Sequence, residues 1–315
     1  MKQLLIILTA AVLSGRSVAQ SDSLSLIKAG WSSKTLARGV IWRSVHFSRN
    51  DLFGSNEEIN IIEISRKGLK DCRLSVAHSD SLERTSQLAV SAHALTGING
   101  SFFKMRGADP DDHRDLNGVP KLEPSKLAVN RSVVYVREHD SVIAENSPAK
   151  DHKRQRDQQG SIAINDTGLA ILKADPDDLN WEHGIAARDV MSTGPLMILS
   201  GVELAIPDDA FCRNRHPRTA VGRKADGTIL LLVVDGRAAE SAGMSIPELQ
   251  RTMRWLGCTD AINLDGGGSS TMYVRGEPYQ GVVSYPSDNK KFDHEGEREV
   301  ANAILVVSKR TGTGR

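Results

Sequence analysis

Short apolar strands dominate the pattern of this 315-residue chain. Apolar residues that alternate or run together predict strands at 40–47, 59–64, 72–76, 98–103, 219–222, 228–235, 261–264, 271–274 and 300–307. A hairpin is predicted at 161–172, turning at 165–168. Strands outnumber helices, and hairpins mix with one strand–helix–strand unit. We therefore predict an α+β fold with a mixed β-sheet core, hairpins, a few packed helices and long surface loops.

Two segments have helical spacing. The first, 79–92, begins with Ser and Asp start signals. The second follows Ser245, a favourable N-cap residue that Glu248 completes as a capping box, and Gly257 lies just past its end. Its apolar residues share one face, which predicts packing against a sheet: Ile246, Leu249, Met253 and Leu256.

Two polar stretches, 104–126 and 147–159, predict long surface loops or excursions. The first carries an acidic run that suggests calcium: Asp109, Asp111, Asp112 and Asp115. Its spacing departs from the EF-hand template, which favours a solvated loop. We expect no metal and no cofactor.

Residues 1–19 have the pattern of a secretory signal peptide. Lys2 precedes an apolar run at 4–13, and small residues occupy 17–19, where cleavage is expected. The run is shorter than the ~20 residues that a membrane span needs. We therefore expect a secreted protein, periplasmic or extracellular, without an integral membrane segment after signal removal.

The overall charge is close to neutral, with 40 Lys and Arg against 39 Asp and Glu. This balance argues against nucleic acid as a partner, because binding to the phosphate backbone needs a basic surface. Three widely spaced cysteines, Cys72, Cys212 and Cys258, form neither a disulfide framework nor a zinc motif. One bridge is possible in an oxidising compartment, but the sequence does not choose the pair or predict an oligomeric state.

The run Asn-Leu-Asp-Gly-Gly-Gly-Ser at 263–269 is the most informative motif. Three glycines directly after a strand are favoured where backbone must approach a ligand or adopt positive φ. The amides of Gly266, Gly267 and Gly268 could form an anion-binding concavity, with the Asp265 carboxylate pointing into the same space. A plain glycine-rich turn is the alternative.

Basic residues precede the strand that begins near residue 218. Arg213, Arg215 and Arg218 lie close to His216 and Thr219, and arginine matches phosphate with paired N–H donors. A solvated basic loop is the alternative, least so for Arg218, whose direction the strand fixes.

Two further motifs could contribute polar groups. Asp235 and Arg237 close a strand of Leu and Val, either as an ordinary turn or as a site at the sheet edge. Asn99, in the run 99–103, could bind a sugar hydroxyl above two phenylalanines, or could belong to a bulged core strand. The turn at 192–195 is a weaker candidate.

These motifs together resemble the phosphodiester glycosidase family. The matching pieces follow in order from residue 97 onward, at 99–103, 193–196, 218–222, 235–237, 242–245, 261–271, 285–288 and 298–302. The ordered set is specific, although each piece alone is weak. We accordingly divide the chain into a signal peptide at 1–19, N-terminal strands and a helix at 20–93 packing on the catalytic domain, a phosphodiester glycosidase domain at 94–310 and a disordered tail at 311–315.

The resemblance implies a hydrolase that cleaves a sugar-1-phosphodiester, and the motif residues suit that chemistry. A carboxylate must stabilise the oxocarbenium-like transition state, and positive donors must receive the departing phosphate. We assign Asp265 as nucleophile or stabiliser, Arg218 as phosphate clamp and Asp235 as general acid or base. The remaining candidates would bind substrate: Asn99, Thr219, Arg237, Asn263, Gly266, Gly267, Gly268 and Ser269.

Two alternatives stay open from the sequence. A non-catalytic glycan-binding protein could use the same scaffold, but would not need paired carboxylates around an arginine. A phosphoesterase would cleave the P–O bond instead of the C–O bond, usually with a metal or a strong nucleophile. The sequence chooses neither the sugar nor the group attached to its phosphate.

Overall fold

The computed structural model describes residues 21–105, 130–147 and 153–309. Helices α1–α5 span 21–28, Gly68–Asp71, Thr85–Ser91, Ala210–Arg213 and Ile246–Trp255. Strands β1–β17 span, in chain order, Ser32–Ala37, Val40–Leu52, Ser55–Ile64, Cys72–Arg84, Thr96–Asn99, Val136–Glu138, Ser141–Ala144, Gly160–Asn165, Gly168–Lys173, Asp189–Thr193, Leu196–Leu199, Val202–Glu203, Arg218–Lys224, Ile229–Val234, Cys258–Asn263, Met272–Val274 and Glu299–Ser308.

The strands form three sheets. Their orders are β1-β2-β3-β14-β13-β15-β11-β12, then β7-β6-β10-β8-β9, then β16-β5-β17-β4. The α+β class is confirmed. The sheets are more uniform than the predicted mixed core, because each pairing within the described residues is antiparallel.

The unit β14-α5-β15 sets the position of the candidate site. Both strands pair antiparallel with β13, which lies between them, so they run in the same direction. The chain segments that follow β14 and β15 therefore leave the sheet at the same end of these strands, where β13 begins with Arg218. Asp235 follows β14 and Asp265 follows β15, so both residues lie at this end of the three strands.

The helix after Ser245 forms as predicted. Ser245 Oγ accepts a hydrogen bond from the amide of Glu248, whose carboxylate accepts one from the amide of Ser245. Gly257 has φ +90° just beyond the end, a conformation that glycine adopts without a steric penalty. The apolar residues Ile246, Leu249 and Met253 are fully buried against the large sheet.

The predicted helix at 79–92 is wrong in its first part. Residues up to Arg84 continue β4, and only Thr85–Ser91 are helical. Strand β17 pairs with this extension, Glu299 with Arg84 and Val300 with Glu83. This pairing joins residues more than 200 positions apart, so a local helical spacing does not reveal it.

The N-terminal strands β1–β4, within residues 21–93, belong to the same sheets as later strands. Strand β3 pairs with β14, and β4 pairs with β17. One apolar core lies among the three sheets, and a second covers the opposite face of the large sheet under α5 and α1. The three cysteines are buried and unbridged. No helix within 21–309, apart from the two gaps, is long and apolar enough to cross a bilayer.

The loop predictions have two outcomes. The acidic run at 109–115 lies outside the described residues, as do 106–129 and 148–152. The expected surface excursion at 147–159 is wrong for its last part, because Gln158 is fully buried and the Arg154 side chain is only 5% exposed. Arg154 forms a two-pronged ion pair with buried Glu182, which ties this segment to the protein.

Candidate active site

Asp265 stands at the centre of the candidate site, on the turn after β15. Asn99 Nδ2 donates to the Asp265 carbonyl at 2.8 Å, and the Asp265 amide donates to the Gly100 carbonyl at 3.2 Å. The Gly266 amide donates to Asp265 Oδ1 at 2.8 Å. Both the backbone and the carboxylate of this residue are therefore held in place.

Burial raises the pKa of Asp265 to about 6. The Ser269 hydroxyl, the Gly266 amide and the Arg298 charge oppose this rise, whereas the Asp157 carboxyl adds to it. A group with this pKa is mostly ionised at neutral pH but carries a proton in mild acid. The neighbours of Asp265 therefore set its pKa close to the working range of a catalytic carboxylate, as a glycosidase site requires.

The glycine run lets backbone pass directly beneath two guanidinium groups. Gly267 has φ +63°, and a Cβ there would lie 2.8 Å from Arg237 Nη2. A Cβ on Gly268 would collide with Arg298 and lie 2.5 Å from Asp288 Oδ1.

The predicted anion-binding role of the glycine amides is wrong for two of them. The Gly266 amide already donates to Asp265, and the Gly267 amide donates to the Pro217 carbonyl at 2.8 Å. The glycines serve instead to admit the arginines.

Arg237 and Arg298 supply positive charge beside Asp265. Arg298 Nη2 forms an ion pair with Asp288 at 2.5 Å. No carboxylate within the described residues lies within 4.0 Å of the Arg237 guanidinium. Arg237 is exposed, and partial desolvation together with the neighbouring Arg298 charge lowers its pKa, whereas Asp288 and Asp265 raise it. Arg237 is therefore a cation available for an anionic ligand.

Arg218 is buried, with 1% of its surface exposed. Its Nε donates to the Met244 carbonyl at 2.8 Å, and its Nη2 donates to the carbonyls of Phe211 and Asn214 at 2.6 and 2.8 Å. Burial lowers its pKa to about 10, assisted by Arg156 and Arg237. No carboxylate forms an ion pair with it within the part of the chain that the structure describes.

This geometry corrects the assignment of Arg218 as a two-pronged phosphate clamp. Nε and Nη2 are occupied by carbonyls, so the full fork is not free for a ligand. A buried cation without a counter-ion is energetically unfavourable and is relieved by a nearby anion. Arg218 contributes fixed positive potential and holds the loop before β13.

The ring of Phe211 contacts the guanidinium groups of both Arg156 and Arg218. The guanidinium carbons lie 4.1 and 4.6 Å from the ring centroid, within cation–π range. Phe102 contacts the same ring, with the two centroids 6.1 Å apart. Arg156 also forms an ion pair with Asp209 at 2.8 Å. The sequence analysis did not identify Phe211 and Arg156, because the two residues are far apart in the chain and belong to no motif.

Asp157 brings a second carboxyl towards Asp265. Its charge adds to the rise in the Asp265 pKa, and burial raises its own pKa. Its Oδ1 is buried without a hydrogen-bond partner among the described residues. Gly194 packs directly on the backbone of Arg156 and Asp157, and no Cβ could fit between them. The fold thus fixes Asp157 although its charged neighbours suggested a surface loop.

Asp235 faces a different environment. It is fully buried, its Oδ1 accepts from the Tyr285 amide at 2.8 Å, and its Oδ2 has no partner among the described residues. Burial raises its pKa well above the usual value, and Glu58 adds to the rise. No hydrogen bond joins Asp235 to Asp265 in the described chain, and Asp235 is not among the groups that shift the pKa of Asp265. The general acid or base role of Asp235 stays a prediction.

Three predicted ligand residues form the scaffold beneath Asp265. Asn99, Thr219 and Asn263 are fully buried. Thr219 Oγ1 donates to Asn99 Oδ1 at 2.7 Å, and Asn263 Nδ2 donates to the Gly194 carbonyl at 2.8 Å. These contacts support the turn that carries Asp265, and direct binding of substrate by the three residues stays a prediction. Ser269, also fully buried, lies beside the Asp265 carboxylate.

The basic run before β13 divides in the structure. Arg213 pairs with Asp208 and Arg215 with Glu248, so both are neutralised by acids of their own. His216 has a buried Nδ1 without a partner among the described residues. Burial lowers the pKa of His216, and Arg218 and Arg237 lower it further, which favours the neutral imidazole.

Residues 92–307 match the family model for phosphodiester glycosidases. The chain belongs to the phosphodiester glycosidase family. The match begins close to the predicted domain start at residue 94 and includes each of the site residues described above.

Individual relatives align over shorter segments. The mouse N-acetylglucosamine-1-phosphodiester alpha-N-acetylglucosaminidase is 40% identical over 79 residues, which are 25% of this chain and 14% of the mouse protein. An uncharacterized prophage-derived protein of Bacillus subtilis, YomE, is 34% identical over 88 residues, 24% of this chain and 14% of that protein. The aligned part is thus about a seventh of either relative.

A solved structure has the same fold. The catalytic domain of the zebrafish N-acetylglucosamine-1-phosphodiester alpha-N-acetylglucosaminidase, described as auto-inhibited by its pro-peptide, superimposes with a TM-score of 0.59 and 17% identity. The superposition covers 89% of this chain and 87% of the zebrafish domain. The similarity therefore extends to the N-terminal strands that precede residue 92.

Proposed function

We propose that this chain hydrolyses a sugar-1-phosphodiester and releases the sugar from its phosphate. The observation that carries the proposal is the proximity of a partly buried Asp265 to the positive charges of Arg237 and Arg298, whose guanidinium groups lie against the glycine run. Cleavage at the anomeric carbon needs a carboxylate beside developing positive charge. It also needs fixed cations where negative charge gathers on the phosphate.

The roles of the two carboxyls differ in this proposal. Asp265, ionised at neutral pH, stabilises or attacks the anomeric carbon as the bond from C1 to the phosphate oxygen breaks. Asp157 accepts the proton of the water whose hydroxyl goes to C1. The leaving phosphate keeps the electron pair, with Arg237 and Arg298 as its nearest cations and Arg218 adding potential from below.

N-acetylglucosamine is the sugar that we propose to test first, because the mouse relative is named for its action on that sugar. We further propose that the protein acts outside the cytoplasm on a cell-surface or extracellular glycan, supported by the signal-peptide pattern of residues 1–19. Mass spectrometry of protein from the native host tests the location. A chain that still carries residues 1–19 and fractionates with the cytoplasm would refute it.

The decisive experiment uses purified mature protein and the methyl ester of N-acetylglucosamine-α-1-phosphate in oxygen-18 water. We expect turnover, with the label in the sugar and none in the phosphate, because the C–O bond breaks. Label in the phosphate would identify a phosphoesterase instead. Absence of turnover on a panel of sugar-1-phosphodiesters, with retained glycan binding, would favour a non-catalytic binding protein.

A further inference from the structure

A cleft of about 480 Å³ opens beside Arg237, between the loops 236–240 and 287–292. It shares Arg237 and Asp288 with the candidate active site. Arg237 is therefore a wall common to both spaces, with Asp265 on one side and the cleft on the other. A substrate whose phosphate meets Arg237 would extend its next group into this cleft.

The loop at 287–292 is held at the cleft by a ring stack and two hydrogen bonds of Asn289. Phe292 stacks on Tyr285 with ring centroids 4.0 Å apart and planes within 3°. Asn289 Nδ2 donates to Asp293 Oδ1 at 2.7 Å, and Asn289 Oδ1 accepts from the Lys291 amide at 3.0 Å. These contacts fix the backbone that carries the two lysines of the cleft.

The charge of the cleft favours an anion. Lys290 and Lys291 line it together with Arg237, and neither lysine lies within 4.0 Å of a carboxylate in the described residues. Of the two acids in its wall, Asp288 is neutralised by Arg298. Glu240 is the other acid of the wall, and Asp293, beyond it, interacts with the charge of Lys291. The three cations of the wall therefore still outnumber the unpaired acids around it. A group that carries negative charge directly after the first phosphate would complement this wall.

We propose that the cleft binds a second phosphate, so that the preferred substrate is a sugar attached through C1 to a diphosphate ester. The inference rests on the proposed function and deepens it. Hydrolysis would break the C1–O bond, with the water hydroxyl going to C1. The diphosphate monoester would leave with the bonding electron pair, and the remaining water proton would pass through Asp157 to solvent. The diphosphate chemistry is shared by nucleoside-linked and lipid-linked sugars.

The test compares two substrates that differ by one phosphate: the methyl esters of N-acetylglucosamine-α-1-phosphate and of the corresponding 1-diphosphate. We expect the wild-type protein to show the higher kcat/KM on the diphosphate. Replacing both lysines by methionine should lower kcat/KM on the diphosphate on the order of tenfold or more, because charge-assisted contacts are lost. The change on the monophosphate should stay below about twofold. Lys67→Met, an exposed lysine remote from the cleft, is the matched control and should change neither.

Equal losses on the two substrates, or no loss on either, would overturn the inference while leaving the proposed function intact. If the wild-type protein hydrolyses neither substrate, calorimetry with the same two esters separates the claims. Tighter binding of the diphosphate that disappears in the double-lysine variant would support the cleft without catalysis, and equal binding would refute it. Among substrates with a diphosphate, uridine diphosphate N-acetylglucosamine and farnesyl-diphospho-N-acetylglucosamine then distinguish a nucleoside from a lipid.

Discussion

Asp265 and Asp235 occupy comparable positions in one sheet but differ in what surrounds them. Each follows the end of a strand, β15 or β14, and the two strands run in the same direction on either side of β13. Burial raises the pKa of both. At Asp265 a hydroxyl, an amide and the Arg298 charge oppose the rise in pKa. At Asp235 only the Tyr285 amide opposes it, and the second acid, Glu58, adds to it.

The difference shows that position in the fold does not decide which carboxyl is suited to chemistry. Desolvation alone keeps a carboxyl protonated, and only nearby donors or cations restore the charged form in a buried place. Asp265 can therefore supply a carboxylate at neutral pH. Asp235, with one oxygen unpartnered among the described residues, is a buried acid that stays protonated over a wider pH range.

Removing the charge of Asp265 should have the largest effect on activity, and it tests whether this carboxyl differs from Asp235 in function. Asp265→Asn should lower turnover by ~10³-fold or more, because the charge that stabilises the transition state is lost. The melting temperature should change little. Steady-state kinetics and thermal unfolding measure both effects, and exposed Asp177→Asn is the matched control. A folded variant with near-normal turnover would make Asp265 a structural turn residue.

Asp157→Asn should have the next largest effect, about 10²-fold in kcat, because a proton acceptor for water is removed. Azide needs no such acceptor, so it should restore turnover in this variant by forming the glycosyl azide. Product analysis by mass spectrometry measures the restoration. A similar azide effect in the wild-type protein, or unchanged kcat in the variant, would show that Asp157 does not act on water.

Arg298→Gln tests the electrostatic half of the comparison. The Arg298 charge lowers the pKa of Asp265, so its removal should raise that pKa and move the acidic limb of the kcat/KM profile to higher pH. In the wild-type protein this limb should lie near pH 6. Activity should fall most in mild acid and recover as the pH rises. Arg254→Gln, at an exposed ion pair elsewhere, should leave the limb in place.

Asp235→Asn should have the smallest effect on activity, within about threefold. The substitution should instead change the free energy of unfolding. Because the folded-state pKa of Asp235 is raised, the folded state binds its proton more tightly, and the free energy of unfolding falls as pH rises above the unfolded value of ~3.9. Asn lacks this dependence. The variant should therefore gain stability relative to wild type between pH 4.5 and 7.5 in urea unfolding, and an unchanged difference would contradict the assignment.

The sequence predicts the local elements of this fold well and the long-range ones poorly. The hairpin at 161–172 and the capped helix after Ser245 depend on neighbouring residues, and both form as expected. The strand at 79–84 depends on β17, which lies at the other end of the chain, so its own residues give a misleading helical pattern.

The same distinction holds for the candidate site: contiguous residues are predicted, and residues fixed by distant contacts are not. The strand end and glycine run around Asp265 are visible in the sequence because they are contiguous. Asp157 was missed because distant contacts fix its segment, among them the packing of Gly194 on its backbone and the ion pair of Arg154 with Glu182. The role of Arg218 was misjudged because its three carbonyl partners come from Phe211, Asn214 and Met244, whose positions depend on loop geometry.

The pairing of the N-terminal strands with later strands has a consequence for solubility. The family-matching segment 92–307 contains β14 and β17 but lacks β3 and β4, which cover their hydrogen-bonding edges. Strand β14, Ile-Leu-Leu-Leu-Val-Val, is apolar throughout. A chain cut at residue 92 would present this strand as an open edge, which is a template for aggregation. We therefore expect the segment 92–307 to aggregate when it is produced without the N-terminal strands.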